Sequence, residues 1–199
     1  MYIIGLTGGI ACGKSSVAEI FKKFGAKTFD VDTETNKLLQ CGGQLYSAYV
    51  QHFGNIIVGD DGQLNKKLVA EIIFNNESER LWINSVAHPI LLNRTRDFLV
   101  DCAENGIKLV VLEIPLLFEA GWENLVDEVW AVYVSKSHQQ WRLMQRDGLN
   151  WKQAASKIKA QMSPKEIADR ADVVINNKRS GSKVRTQVIP LIEKMLPSL

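Results

Sequence analysis

The chain has 199 residues, of which 46% are hydrophobic and 23% charged, a balance that supports one substantial core and argues against disorder. A formal net charge of +2 gives no electrostatic reason to expect nucleic acid or a membrane surface as a partner. The three cysteines, Cys12, Cys41 and Cys102, are odd in number and lack metal-ligand spacing, which argues against a disulfide framework or zinc site and predicts a reducing compartment.

In chain order, Tyr2 to Leu6 reads as a short strand, Thr7 to Cys12 as a small, Gly-rich loop, and Gly13 to Phe24 as a helix with Val17, Ile20, Phe21 and Phe24 at helical spacing. This frame carries G-x-x-x-x-G-K-S at Gly8, Gly13, Lys14 and Ser15. In such a loop the glycines let backbone N–H groups wrap a phosphate, the lysine reaches the β- and γ-phosphates, and the Ser15 hydroxyl is placed for Mg²⁺. The helix N-terminus behind it also favours an anion, so a nucleoside triphosphate is the implied ligand. Cys12 inside the loop has two readings: a thiol made oxidation-sensitive by the helix N-terminus, or a small filler that contributes only backbone.

Lys27 to Val31 reads as a second strand running into Asp30-Val31-Asp32. An acid at its end can accept or orient an acceptor hydroxyl; Asp32 is the candidate and Asp30, on the same strand face, its rival. The other reading of Asp32 is an N-cap for the following helix. Lys108 to Ile114, Glu128 to Val134 and Asp172 to Ile175 are further apolar runs, suited to parallel strands covered on both faces. The expected fold is therefore α/β: an open, mostly parallel five-stranded sheet flanked by helices. The final helix, Ser182 to Leu196, is expected to close the chain against the sheet through Val184, Val188, Ile192 and Met195.

Two long stretches interrupt the βα alternation. Residues 33–104 are mostly helical in pattern with a Gly59–Gly62 turn, and residues 135–164 are amphipathic and rich in Gln, Lys and Arg. Both leave from strand C-termini, where open α/β sheets bind ligands, and are expected to overhang the site. Neither Asn-Lys-x-Asp nor Asp-x-x-Gly occurs, which sets aside a GTPase. Lid-like insertions favour a small-molecule kinase, because phosphoryl transfer needs water excluded by closure. The acceptor stays open at this point, as does a nucleotide-switched binding protein.

Arg142 and Arg146, four residues apart, share a helical face and suit phosphate oxygens or simply solvent; Lys152, Lys157 and Lys159 read as a solvated face. Asn176 and Asn177 after the last strand suit an adenine edge or a turn. Glu113 ends its strand where an acid can hold Mg²⁺ or its water, or can pair with a neighbouring base. The best apolar run, Leu109 to Phe118, is broken by Glu113 and Pro115 and is too short to span a membrane. With no basic leader before the loop, a soluble, cytoplasmic protein is expected.

Taken together, these segments resemble dephospho-CoA kinases. The likeness rests on Gly5-Leu6-Thr7-Gly8-Gly9-Ile10 running into Gly13-Lys14-Ser15; Asp30-Val31-Asp32; His88-Pro89; Pro115-Leu116-Leu117-Phe118-Glu119; Arg142 with Arg146-Asp147; Gln161; and Ala171-Asp172 with Ile175-Asn176-Asn177. It implies a P-loop nucleotide kinase-like fold and ATP-dependent phosphorylation of the ribose 3′-hydroxyl of dephospho-CoA, with ATP and Mg²⁺ required. The implied organisation is a core of 1–32, 105–134 and 165–199, a helical substrate-binding insertion over 33–104 and a lid over 135–164.

Asp32 matches the family's catalytic aspartate, with Lys14 and Arg146 as further catalytic residues. ATP is assigned to Gly9, Ala11, Cys12, Gly13, Lys14, Ser15, Ser16, Arg142 and Asn177, the metal to Ser15, and the acceptor to Asp32, His88 and Arg94. The chain departs from the family pattern after His88-Pro89, where Ile90-Leu91-Leu92 precedes the nearest bases, Arg94 and Arg96. It departs again at Ala11-Cys12 and Ser16, where Gly-Ser and Thr are frequent. The expected partners are the small-molecule substrates, in a monomer or small homo-oligomer.

Overall fold

The computed structural model describes residues 1–178 and 182–198. Five strands, β1 (Tyr2–Thr7), β2 (Lys27–Asp30), β3 (Leu109–Glu113), β4 (Glu128–Tyr133) and β5 (Val173–Asn176), form one sheet in the order β2-β3-β1-β4-β5. Every pairing is parallel. The helices are α1 (Lys14–Lys23), α2 (Val31–Leu38), α3 (Gln44–Phe53), α4 (Lys66–Asn75), α5 (Glu77–Glu104), α6 (Lys136–Asp147), α7 (Trp151–Lys159), α8 (Pro164–Arg170) and α9 (Ser182–Met195). The α/β fold expected from the apolar runs is the one observed.

By compactness the chain divides into Met1–Asp30 with Leu99–Leu199, and Val31–Phe98. In the first unit, β3 is buried at every position, as a central parallel strand must be. Val17 and Phe21 of α1 and Val184, Val188 and Ile192 of α9 cluster with Ile4, Leu6, Trp130 and Val132 of the sheet. Phe21 meets Trp130 edge to face at 5.0 Å; burying each such ring contributes on the order of 1.5–3 kcal/mol. The heart of the first unit lies directly behind the loop that follows β1.

In the second unit the Gly59–Gly62 turn is present, closed by Gly62 N–H donating to the Gly59 carbonyl (2.9 Å) with Gly62 at φ +72°. Asn65 caps α4 by accepting from Leu68 N–H (3.1 Å). His52 of α3 stacks on Trp82 of α5 at 3.6 Å and pairs with Glu79 at 2.7 Å. Helix α5 runs unbroken for 28 residues through His88-Pro89.

One boundary differs from the sequence expectation. Strand β2 stops at Asp30 and α2 begins at Val31, so Asp32 sits in the first turn of a helix and not on the strand. It is therefore neither a strand-end acid nor the cap residue, and it does not share a strand face with Asp30.

Candidate active site

The loop between β1 and α1 takes its shape from steric necessity. Gly8 has φ +142°, and a Cβ there would lie 2.5 Å from the Val132 carbonyl oxygen. Gly13 has φ +91°, and a Cβ there would overlap Nδ2 of Asn177. Ala11, at φ 59°, is the only non-glycine at positive φ among the described residues, a conformation that costs an L-residue on the order of 1 kcal/mol.

Helix α1 then starts with no acid in its first turn and no side-chain cap at Gly13, so its unpaired N–H groups and positive dipole end are left for an anion. Lys14 is half-buried and reaches back along the loop to donate to the Gly8 carbonyl (3.0 Å). An ammonium has three donors, so that bond orients Lys14 and leaves two for phosphate. Ser15 and Ser16 are exposed on the first turn of α1.

Side chains from later in the sequence hold the loop. Asn177, 4% exposed, donates from Nδ2 to the Cys12 carbonyl (2.8 Å). Arg142 of α6 donates from Nη1 to the carbonyls of Ala11 (3.4 Å) and Cys12 (3.3 Å), and from Nη2 to that of Asn177 (2.7 Å). Gln161, after α7, accepts from Ile10 N–H at 2.9 Å. Ile10 and Ala11 pack on the small core of the α6–α7 pair, Leu143, Ala154 and Ile158.

Asn177 thus braces the loop from beneath, and Asn176 is tied through its backbone to Gln187. Of the two readings of Cys12, the structure fits the filler. It is fully buried, and burial pushes its thiol pKa up, outweighing the downward pull of Lys14 and Arg142. It is a core residue of the loop and not an activated thiol.

The Pro115–Glu119 segment runs beside this assembly. The Pro115 carbonyl accepts from Thr7 Oγ1 (3.3 Å), and Leu117 is fully buried where a Cβ on Gly5 would stand 2.6 Å from its Cδ1. Phe118 lies under the Arg170 guanidinium at 4.2 Å, and Glu119 Oε1 accepts from Met162 N–H (2.9 Å). The segment therefore ties the start of the loop to the chain leaving α7, a role that sequence reasoning left unassigned.

At the carboxyl edge of the sheet Glu113 stands in register with Asp30 on one side and Leu6 on the other. Glu113 is 6% exposed, and burial, reinforced by the Asp30 charge, raises its pKa to about 7. The raised value makes this acid destabilising at neutral pH. Below about pH 4 it is protonated in both folded and unfolded chains and carries no penalty; as pH rises the unfolded chain ionises first, and the penalty is complete above pH 7, at most about 3 kcal/mol. Glu113→Gln is expected to raise the melting temperature at pH 8 but not at pH 4, by thermal unfolding at both values; equal gains at both would contradict the assignment.

The other predicted residues fall as follows. Arg142 and Arg146 lie on one helix as expected, but their partners differ: Arg146 forks onto Asp147 (2.7 and 3.2 Å) with its side chain 59% exposed, clear of the loop carbonyls that Arg142 grips. Lys157 approaches the same Asp147 at 3.8 Å. In the second unit, Asp32 lies in α2, and Arg94 of α5 approaches Glu34 of α2 at 4.0 Å. His88 of α5 has its pKa lowered by burial. Sequence reading missed Gln139 of α6, which is 1% exposed with its amide against Gly9; its signal was the helical spacing that puts it one turn before Arg142.

The family model for dephospho-CoA kinase (CoaE) matches residues 2–183. A dephospho-CoA kinase of Carboxydothermus hydrogenoformans is 40% identical over 192 residues, 96% of this chain and 93% of that one. The structure of a dephospho-CoA kinase from Campylobacter jejuni superposes with a TM-score of 0.70 at 27% identity, covering 97% of this chain and 96% of that one. A shikimate kinase from Bacteroides thetaiotaomicron, 15% identical over 98% of both chains with a TM-score of 0.57, shares the fold alone. Likeness at this level, running in one frame from the phosphate loop through the Pro115–Glu119 segment to Asn177, means that the chain belongs to the dephospho-CoA kinase family.

Proposed function

We propose that this kinase transfers the γ-phosphoryl group of ATP to the ribose 3′-hydroxyl of dephospho-CoA, giving CoA and ADP. The observation that carries the reading is the braced loop with Lys14 spanning it and an uncapped α1 behind it, in a chain of this family. The loop N–H groups and Lys14 hold the donor phosphates. Arg142, committed to loop carbonyls, keeps Ala11 and Cys12 in place and adds positive potential. Arg146 exchanges Asp147 for phosphate oxygens when residues 135–164 close over the nucleotide.

Asp32 accepts or orients the 3′-hydroxyl proton as the new O–P bond forms and ADP departs, while His88 and Arg94, in the insertion over 33–104, contact the acceptor. No group of three His, Cys, Asp or Glu fit to hold a metal occurs among the described residues. Magnesium does not need one, since it keeps waters and leans on phosphates plus one or two protein oxygens. The exposed Ser15 hydroxyl supplies one such hard oxygen, and the half-buried Asp30 at the carboxyl edge of the sheet can supply another, so these residues fit the ion. Bound there, the ion would supply charge neutralisation at the transferring group.

Among the described residues no helix is long and apolar enough to cross a membrane. Cys12, Cys41 and Cys102 are free thiols, which supports a cytoplasmic enzyme. The test is the position of the new phosphate. After incubation with ATP, Mg²⁺ and dephospho-CoA, NMR of the product should place it on the 3′ oxygen, and phosphate on any other oxygen would contradict the assignment.

A further inference from the structure

The α6–α7 stretch grips the loop almost residue by residue: Gln161 takes Ile10, and Arg142 takes Ala11 and Cys12. Gln139 is the exception. It faces Gly9, where a Cβ would overlap its Nε2, and the residue is only 1% exposed. Yet Nε2 has no hydrogen-bond partner, although an amide nitrogen carries two donors. Among the described residues the only other buried side-chain atom in this state is Oδ1 of Asn177, whose amide presses on the same loop at Gly13. Both unspent groups therefore flank the phosphate loop.

A buried unpaired donor is unfavourable, and methionine would fill nearly the same space without it. The amide has a use only in a state that brings an oxygen acceptor to it. The part of its surroundings that a bound triphosphate would alter is the loop, where phosphate oxygens would arrive beside the Gly9 peptide. We propose that Gln139 is a positioning residue whose amide is hydrogen-bonded only when the loop holds a triphosphate, the acceptor being an oxygen at Gly9 supplied or reoriented by the phosphates. The inference rests on the reading of this loop as the ATP site. A bond made in the loaded state and absent in the free one favours loading by its full worth.

The two states make opposite demands, and that supplies the test. Gln139→Met is measured in the full-length protein for its melting temperature without ligand, its Kd for ATP with Mg²⁺ by calorimetry, and its KM for ATP and for dephospho-CoA. The expected result is a free protein that melts about 2–4 °C higher, an ATP Kd weakened about tenfold, and an unchanged KM for dephospho-CoA. A raised melting temperature with unchanged ATP affinity would overturn the proposal, leaving the amide an ordinary defect. A lowered melting temperature with unchanged affinity would make Gln139 a plain core residue and overturn it equally. Failure of the unmodified protein to bind ATP would instead overturn the reading of the loop itself, and this inference with it.

Discussion

Replacing Asp32 with asparagine is expected to lower turnover roughly 10²–10⁴-fold while ATP affinity stays within about twofold of the unmodified enzyme. The two side chains have the same shape, so the loss isolates the carboxylate's capacity to accept or orient a proton. Asp32 lies in the first turn of α2, where an acid stabilises the helix by about 0.3–1 kcal/mol, and its own carbonyl is bonded to Asn36 Nδ2 at 3.0 Å whatever the side chain. Steady-state rates and ATP calorimetry on the same preparation separate the two quantities. Retained turnover would reduce Asp32 to a helix-start residue.

The second large effect belongs to Lys14. Lys14→Ala removes the only side-chain cation that bonds the Gly8 carbonyl across the loop among the contacts described, together with the charge proposed to meet the transferring phosphate. ATP affinity and kcat are expected to fall together, with kcat/KM for ATP reduced by about 10³-fold or more. Lys14→Arg is not expected to restore it, because a planar guanidinium does not fit a space shaped for a compact ammonium. Kinetics at varied ATP with saturating dephospho-CoA give both parameters, and an unaffected variant would remove the loop from the donor site.

Much of this was legible in the sequence, for identifiable reasons. The strands are near-continuous apolar runs because parallel strands are covered on both faces, and Gly8 and Gly13 stand at backbone angles and close approaches that a Cβ would spoil. Propensity fails at a boundary such as Asp30-Val31-Asp32. A one-residue difference in where β2 ends puts Val31 at the start of α2 and Asp32 in that helix's first turn.

Helical spacing put Arg142 and Arg146 on one helix but could not tell which would find loop carbonyls and which would find Asp147. For Cys12 two effects compete, the helix dipole against desolvation, and only the fully buried position decides that desolvation wins. Gln139 shows the same limit. A glutamine in an amphipathic helix reads as surface, yet this one is buried because the face it occupies is covered by the phosphate loop.

The central claim is that this chain joins a phosphate-loop donor site to a dephospho-CoA acceptor. ADP release by the purified protein with ATP and Mg²⁺, compared across dephospho-CoA, nucleosides, nucleoside monophosphates and no acceptor, tests it most directly. Dephospho-CoA is predicted to stimulate release far above every other condition. Release that is unchanged by dephospho-CoA, or stimulated as strongly by a nucleoside, would contradict it.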